Sequence, residues 1–308
     1  MSDLHQEVTD KILALIEAGT PPWRCGWRQS TPSGMPANPF AGRSYNGINV
    51  VLLWAEAQAK GYESAHWATY RQIQAAGGQV RKGEKGTRII FYRTLDIAGE
   101  TADEEGKRIP ILKSYSVFNV AQCDGLVTAE APEPLSEPER DERVERFVAN
   151  VGAEVRFNAG RAFYSPSEDY LGMPKRGLFH TAESFYATLI HETVHFSGHP
   201  SRLDRLKLTA RYGSESYAVE ELIAELGASF LCAELGINSD LPNHASYLAS
   251  WLAVMKGDKR AIFKAAAAAS QAAQFLKARQ PVGGDKIEDV AVRGDVVTRT
   301  PPGETAHL

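Results

Sequence analysis

The sequence of 308 residues predicts an α+β fold built from two domains. Three observations support this. Short strand-like runs alternate with amphipathic helices in the first half, an HExxH motif lies within a helical apolar pattern in the second half, and a stretch rich in Pro and Glu separates them. We therefore predict domains over residues 1–125 and 141–280, a solvated linker over 126–140, and a disordered tail over 281–308.

The composition is that of a soluble globular protein, with 43% hydrophobic and 23% charged residues. The three cysteines form no CxxC pair, and residues 1–19 read as an acidic amphipathic helix rather than a signal peptide. A reducing cytoplasm is the expected setting. No apolar run is long enough to span a bilayer, so we expect no membrane association.

The elements of the first domain follow from apolar spacing and from the turn residues between them. The first helix should end at Gly19 and the Pro21-Pro22 pair. We predict helices over 4–18 and 47–60, and a third helix that begins at Trp67 and ends at Gly77-Gly78. Strands 79–81 and 87–93 should form a hairpin around the turn Lys82–Gly86, and a further strand should cover 112–123.

The basic residues of this domain are concentrated in one segment. Residues 71–93 hold six basic residues against one acidic residue, although the net charge of the chain is −4. The preceding loop, residues 21–50, interleaves aromatic residues with arginines. Such a loop suits single-stranded nucleic acid, because bases stack on rings for ~1–3 kcal/mol each and guanidinium groups hold phosphates. The alternative is that the tryptophans cover a small core.

The second domain is predicted to open with a helix over 136–150, since Ser136 and Glu139 form a capping-box signal. A strand pair should turn at 158–160, and residues 177–180 should form a short strand. Three helices then follow the HExxH helix: one starts at Tyr217, and two more lie before residue 281.

The HExxH motif is His191-Glu192-Thr193-Val194-His195. Thr181 is a plausible N-cap for its helix. Residues four apart lie on one helix face, so both imidazoles can bind one metal ion, and Glu192 lies where a general base belongs. The alternative is a chance pair of histidines on an ordinary helix.

A third protein ligand is needed to complete such a site. The extended motif HExxHxxGxxH fails here, because Ser201 stands at the third-histidine position and His199 comes two residues too early. The remaining solution is a glutamate from the helix that starts at Tyr217. That helix offers Glu220, Glu221 and Glu225, of which the last two share a face. The alternative is that these acids form a solvated face.

The pattern Glu221-Leu-Ile-Ala-Glu225 is similar to that of zincins whose third ligand is glutamate. This similarity implies that Glu221 binds the metal and that Glu225 supports a ligand histidine. We predict Zn²⁺, although ligand type alone also admits Mn²⁺ or another divalent ion. The implied chemistry is peptide hydrolysis, with Glu192 as the base. Candidate donors to the oxyanion are Tyr212, Tyr217, His180 and Arg211, and the sequence does not choose among them.

Longer motifs carry a resemblance to one family. The runs PPWRCGW, NPFAGRSYNGINVVLLW, RKGEKGTRIIFY and YSVFNVAQ resemble the N-terminal domain of ArdC-type plasmid antirestriction proteins. The runs YSPSEDYLGMP, FYATLIHETVHFSGH and YAVEELIAELGASFL resemble the zincin-like metallopeptidase domain joined to it. Together they cover about residues 5–280.

The resemblance implies a protein that binds single-stranded DNA without sequence preference and protects incoming plasmid DNA during conjugation. It also implies a peptidase domain similar to the SprT group, whose members act on DNA-associated proteins; the protein substrate is unidentified. Carried over to this chain, His191, His195 and Glu221 hold the metal and Glu192 is the base. We predict DNA contacts at Trp23, Trp27, Arg43, Tyr45, Arg81, Lys82 and Lys85.

Two other functions fit the same sequence. One is a non-catalytic coat for single-stranded DNA whose metal is structural; a base such as Glu192 would then have no use. The other is a housekeeping peptidase without a role on DNA, which would show no salt-sensitive binding to oligonucleotides.

Overall fold

The structure, a computed structural model, describes residues 3–23, 34–97, 107–126, 136–157, 159–206, 214–238 and 245–281. Most of the predicted linker, Trp27 and the predicted tail from residue 282 onward lie outside these ranges. Helices and small sheets both occur within them, which confirms the α+β class.

The first helix, α1 (Leu4–Glu17), begins where the Asp3 carboxylate accepts hydrogen bonds from the backbone N–H groups of His5 and Gln6. It ends before Gly19, as predicted. Two short strands follow, β1 (Ala37–Asn38) and β2 (Arg43–Ser44), which pair with each other. The next helix, α2 (Ile48–Lys60), ends at Gly61 in the left-handed conformation that favours glycine.

The remaining elements of the first half are one short helix and five strands, and the strands pair in antiparallel ladders. They are β3 (Trp67–Ala68), α3 (Tyr70–Ala75), β4 (Gln79–Val80), β5 (Thr87–Ile97), β6 (Lys107–Asn119) and β7 (Cys123–Asp124). All 11 residues of β5 pair with β6, and β3 pairs with the far end of β6. The predicted helix at Trp67 is corrected, because Trp67 and Ala68 form β3 and Thr69 caps α3.

The hairpin predicted around Lys82–Gly86 is also wrong. The strands on either side of that turn pair with different partners: β4 with β7, and β5 with β6. A two-residue strand such as β4 offers few ladder bonds, whereas the long β6 pairs with the whole of β5. The turn therefore joins two sheets rather than closing one hairpin.

The second half contains α4 (Glu137–Val151), β8 (Glu154–Arg156), β9 (Phe163–Ser165), β10 (Tyr170–Gly172), α5 (Ala182–Ser197), α6 (Glu215–Leu235), α7 (Ala245–Gly257) and α8 (Ala261–Lys277). The capping box of Ser136 and Glu139 is present. The predicted pairing of the strands around 158–160 is wrong, because β10 lies between β8 and β9, parallel to the first and antiparallel to the second. Residues 176–178 form a 3₁₀ turn rather than a strand.

One buried cluster joins the two halves of the chain. Ile12 of α1 and Trp54 of α2 belong to the same cluster as Phe230 of α6 and Ile262 of α8. The rings of Trp54 and Phe230 lie 5.7 Å apart. A second cluster packs α4 and the β8–β10 sheet against α5, with α6 and α8 contributing to both clusters. Helices α6 and α8 therefore tie the first half of the chain to the part that carries the HExxH motif.

Among the residues that the structure describes, no helix is both long and apolar enough to cross a membrane.

Candidate metal centre

Helix α5 holds the HExxH motif in a buried setting. Thr181 caps it, with its side chain accepting a hydrogen bond from the backbone N–H of Ser184 at 3.0 Å. Most residues of α5 are buried, since it lies between the β8–β10 sheet and α6. His191 and His195 project from one face, and their ring centroids are 4.8 Å apart.

Helix α6 approaches α5 closely enough to bring a carboxylate to the histidines. Gly227 permits the approach, because a Cβ atom there would lie 2.9 Å from Cγ1 of Val194. Glu221 stands about 1.7 turns before Gly227 and is buried. Its Oε2 lies 3.5 Å from Nε2 of His191, and its Oε1 lies 3.5 Å from Nε2 of His195.

His191, His195 and Glu221 form a group whose donor atoms all lie within 4.8 Å of one another. The two Nε2 atoms are 3.2 Å apart. Adjacent ligands of a tetrahedral ion with bonds of ~2.05 Å are separated by ~3.4 Å, so the observed triangle fits one divalent cation. Two nitrogen donors and one carboxylate suit Zn²⁺ and are compatible with Mn²⁺.

The histidines and carboxylates of the site shift one another's pKa values. Burial alone would lower the pKa of His195, but a hydrogen bond to Glu220 and the nearby carboxylates of Glu221 and Glu192 raise this pKa to about 9. Burial alone would raise the pKa of Glu221, and the hydrogen bond with His191 and the charges of both histidines instead lower it to about 2. The site thus concentrates negative charge that favours a bound cation.

Glu192 lies beside this group rather than within it. Its side chain is buried, and burial is the main reason that its pKa is raised above the usual value. The backbone N–H of Tyr164, in β9, lies close enough to its carboxylate to offset part of this rise in pKa. The base position predicted from the motif is therefore next to an edge strand of the sheet.

Two different glutamates lie behind the two histidines, and support of a ligand histidine by Glu225 stays a prediction. Nδ1 of His195 lies 3.3 Å from Oε1 of Glu220, and Arg205 donates to both carboxylate oxygens of Glu220, at 3.1 and 3.3 Å. Glu225 instead lies 3.9 Å from Nδ1 of His191, which is beyond a hydrogen bond. Sequence reasoning considered Glu220 but did not give it this role, and it missed Arg205, for which the sequence carried no signal.

The candidate oxyanion donors separate in the structure. Tyr217 lies at the site: its hydroxyl is 3.0 Å from that of Tyr247, and a hydrogen bond from Tyr217 helps to lower the pKa of Glu221. His180 is exposed, before the start of α5. Arg211 and Tyr212 lie outside the described residues.

The predicted DNA-contacting residues differ in how much of each side chain the fold leaves accessible. Trp23 is fully buried, with its ring 6.0 Å from that of Trp251, so it offers no face to a base and we remove it from the set. Tyr45 is half-buried, and its hydroxyl donates to the carbonyl of Trp67 at 3.0 Å. Arg43 is exposed on β2.

The turn between β4 and β5 offers the other three residues. Arg81 is already engaged, since it binds Glu84 at 3.2 Å, Asp124 at 3.5 Å and the carbonyl of Ala121 at 2.5 Å. Lys82 and Lys85 are exposed. Neither lysine forms an ion pair with a residue in the described ranges. Trp27 lies outside those ranges.

Two family models match the chain. The N-terminal domain of anti-restriction factor ArdC matches residues 2–118, and a zincin-like metallopeptidase domain matches residues 142–268. A zincin-like fold implies a divalent metal ion.

Several known proteins are similar over most of the chain. An uncharacterized protein of Sinorhizobium fredii, y4eC, is 42% identical over 91% of this chain and 93% of its own length. A DNA primase TraC of Escherichia coli is 39% identical over 89% of this chain, which corresponds to only 27% of the primase.

Two crystal structures of the antirestriction protein ArdC from the R388 plasmid share the fold. The metal-free structure is 47% identical, with a TM-score of 0.76, and the match covers 90% of this chain and 97% of that one. The Mn(II)-bound structure is 46% identical, with a TM-score of 0.73, over 90% and 98% of the two chains.

Proposed function

Because this chain belongs to the ArdC family of antirestriction proteins, we propose that it binds single-stranded DNA without sequence preference and carries an active metallopeptidase. In this proposal it acts in the cytoplasm, protects plasmid DNA that enters during conjugation, and cleaves proteins associated with that DNA. The observation that carries the peptidase part is the convergence of His191, His195 and Glu221 beside a buried Glu192.

In the proposed reaction, His191, His195 and Glu221 hold one divalent cation, with Zn²⁺ the first choice. The cation would supply Lewis-acid catalysis at the scissile carbonyl. Glu192 takes the proton of the attacking water and passes it to the leaving amine. Its burial favours this role, because burial raises the pKa of the carboxyl group above its usual value and so makes the carboxylate a stronger base.

The substrate backbone would lie along β9. This strand is an edge of the β8–β10–β9 sheet, and the Tyr164 N–H turns toward Glu192. An extended peptide that pairs with the free edge of β9 would therefore pass next to the proposed base. Tyr217, on the α6 side, is the described candidate nearest to the oxyanion position because it already contacts Glu221.

For the DNA part, the exposed Arg43, Lys82 and Lys85 are the members of the predicted set whose side chains are available to phosphates. Tyr45 is a weaker candidate, since its hydroxyl is bound to the Trp67 carbonyl. Contacts of this type should make binding fall with salt, with a slope of ~−0.7 per phosphate for a single strand.

The test of the peptidase part compares wild type with Glu192→Gln. Each protein is loaded with Zn²⁺ and incubated with a restriction endonuclease on single-stranded DNA. We expect wild type to cleave and the variant to lose cleavage, while both bind the metal and the oligonucleotide alike. If the two proteins are equally inactive on this and on a denatured protein substrate, the DNA-coating alternative with a structural metal replaces this proposal.

A further inference from the structure

A pair of half-exposed aromatic rings lies on the β5–β6 hairpin and takes no part in the candidate metal centre. Phe91 of β5 exposes 52% of its surface and Tyr115 of β6 exposes 49%. Their centroids are 6.3 Å apart, with the planes at 77°. Large aromatic side chains at such exposure leave apolar area in water, which is unusual unless a partner covers it.

The strand register places a lysine on the same face as the rings. Ile89 is opposite Tyr115, and Phe91 is opposite Lys113. Because side chains alternate across a strand and directly paired residues share a face, Phe91, Tyr115 and Lys113 lie on one face. Lys113 is exposed.

The opposite face and the outer edge of β5 are held by the rest of the molecule. Ile90 is buried, and its backbone N–H and carbonyl bind the side-chain amide of Asn49 in α2, both at 2.8 Å. On the face of the rings, Thr87 and Val117 are buried where the hairpin meets the core. The two rings are thus presented to solvent from a strand that is fixed at its base, which limits the entropy lost on binding.

The charge of the hairpin matches a polyanion. Among the residues of the two strands whose side chains the structure describes, Arg88 and Lys113 are basic and none is acidic. Of these, Arg88 is paired with Glu7 at 3.1 Å, between two side chains that are about half exposed. An apolar protein partner would gain nothing from this excess of positive charge, whereas a nucleic acid would.

We propose that Phe91 and Tyr115 form a base-stacking platform for single-stranded DNA and that Lys113 binds a phosphate beside it. This inference rests on the proposed function. It adds a DNA-binding surface that contains none of the residues predicted from the sequence. Base stacking on aromatic side chains of a sheet tolerates any sequence. Duplex DNA is excluded from the platform, because its base faces are already stacked.

The experiment measures the affinity of the full chain for a labelled oligothymidylate by fluorescence anisotropy. The double variant Phe91→Leu/Tyr115→Leu keeps apolar side chains but removes the flat rings, and we expect binding about tenfold weaker or more. The double variant Phe91→Tyr/Tyr115→Phe keeps the rings and should bind like wild type. Lys113→Ala should reduce the salt slope by ~0.7. The matched control is Phe157→Leu, an aromatic residue of 48% exposure in the other half of the chain, which should change nothing.

Thermal unfolding of each variant checks that folding is intact, as the exposure of these side chains leads us to expect. If the leucine double variant binds the oligonucleotide as tightly as wild type, the platform is wrong while the proposed DNA function stands. If wild type itself does not bind single-stranded DNA, both the proposed DNA function and the platform are wrong. Equal weakening by Phe157→Leu would also overturn the platform.

Discussion

Arg205 reaches His195 through Glu220, and this contact orients one of the proposed metal ligands. Arg205 also donates to the carbonyl of Val194 at 3.0 Å and to the hydroxyl of Ser197 at 3.1 Å, so its guanidinium is fixed at the end of α5. A carboxylate that holds the second nitrogen of a ligand histidine sets its tautomer and orientation. We therefore propose that Arg205 and Glu220 are positioning residues.

Removal of this support should weaken the metal site without removing a ligand. We expect Glu220→Gln and Arg205→Ala each to lower the affinity for Zn²⁺ by about 10- to 100-fold, measured by competition with a chromophoric chelator. The control is Arg202→Ala, which removes an equally buried arginine of the same loop that binds Asp169 instead. Similar affinity losses in all three variants would point to general loosening of the loop rather than to support of His195.

Asp169 links the turn before β10 to the loop after α5. It accepts a hydrogen bond from Tyr164 at 2.6 Å and binds Arg202 at 3.0 Å. The bond to Arg202 is the main reason that the pKa of Asp169 is lowered to about 2. Its backbone has a φ of 56°, a conformation that asparagine also tolerates.

A pKa below the unfolded value means that ionised Asp169 stabilises the fold above about pH 4, and that this contribution is lost as the pH falls toward 2. Asp169→Asn should therefore lower the free energy of unfolding at pH 6, by no more than ~1 kcal/mol because the side chain is 42% exposed. The difference from wild type should shrink in denaturant titrations between pH 4 and 2.5. A difference that stays constant over this range would contradict the ion pair.

At the residue scale, the sequence predicted those site residues whose relative positions follow from the spacing of a motif. His191, Glu192 and His195 occupy one motif, and the helical period brings both rings to one face. The same period pairs Glu221 with Glu225, yet Glu220 is the glutamate in contact with His195. That difference depends on how α6 is rotated against α5, which is a tertiary property, and Arg205 comes from a loop that carries no motif.

At the scale of elements, the contact between α5 and α6 decides whether Glu221 can reach the histidines. Gly227 sits where the helices touch, and a methyl group there would meet Val194. Both helices are packed on their other sides by α8 and the sheet, so neither can move away freely.

Gly227→Ala should therefore separate the helices. We expect a loss of ~1–3 kcal/mol in the free energy of unfolding, as for other overpacked cores, together with weaker Zn²⁺ binding. The matched control is Gly257→Ala in α7, where an added Cβ meets no atom within 4 Å, and which should leave both quantities close to wild type. Urea titration and chelator competition measure the two effects. Unchanged metal affinity in Gly227→Ala would show that the α5–α6 distance does not set the site.

The elements themselves were predicted where the signal is local. Helices α1, α2 and α4 have caps and apolar spacing that the sequence displays. Strand pairing was not local: the Lys82–Gly86 turn resembles a hairpin turn, but β5 pairs with a strand that begins ten residues after β5 ends. The long ladder between β5 and β6 decided the pairing, and its length cannot be read from the turn alone.

At the scale of the whole molecule, the shared core predicts that the two halves unfold together. Trp54 belongs to the half that matches the ArdC N-terminal domain, and it packs on Phe230 of the zincin-like half. Trp23 packs in the same way on Trp251, 228 positions later in the chain. No pattern in the loop around Trp23 could reveal a partner so distant, which is why the sequence placed this residue on the DNA surface.

Trp54→Ala should lower the free energy of unfolding by ~3–5 kcal/mol and reduce protection from hydrogen exchange in both β5 and α5. Phe157→Ala, which removes an exposed ring, should change the stability far less. Loss of protection confined to the first half would show that the halves are independent domains.

The central claim is that His191, His195 and Glu221 bind one divalent cation. The most direct measurement is a Zn²⁺ titration of the full chain and of Glu221→Gln, with Glu215→Gln, an exposed acid in the first turn of the same helix, as the control. We predict one tight site in wild type and in Glu215→Gln, and loss of that site in Glu221→Gln. Equal tight binding by all three proteins would contradict the claim.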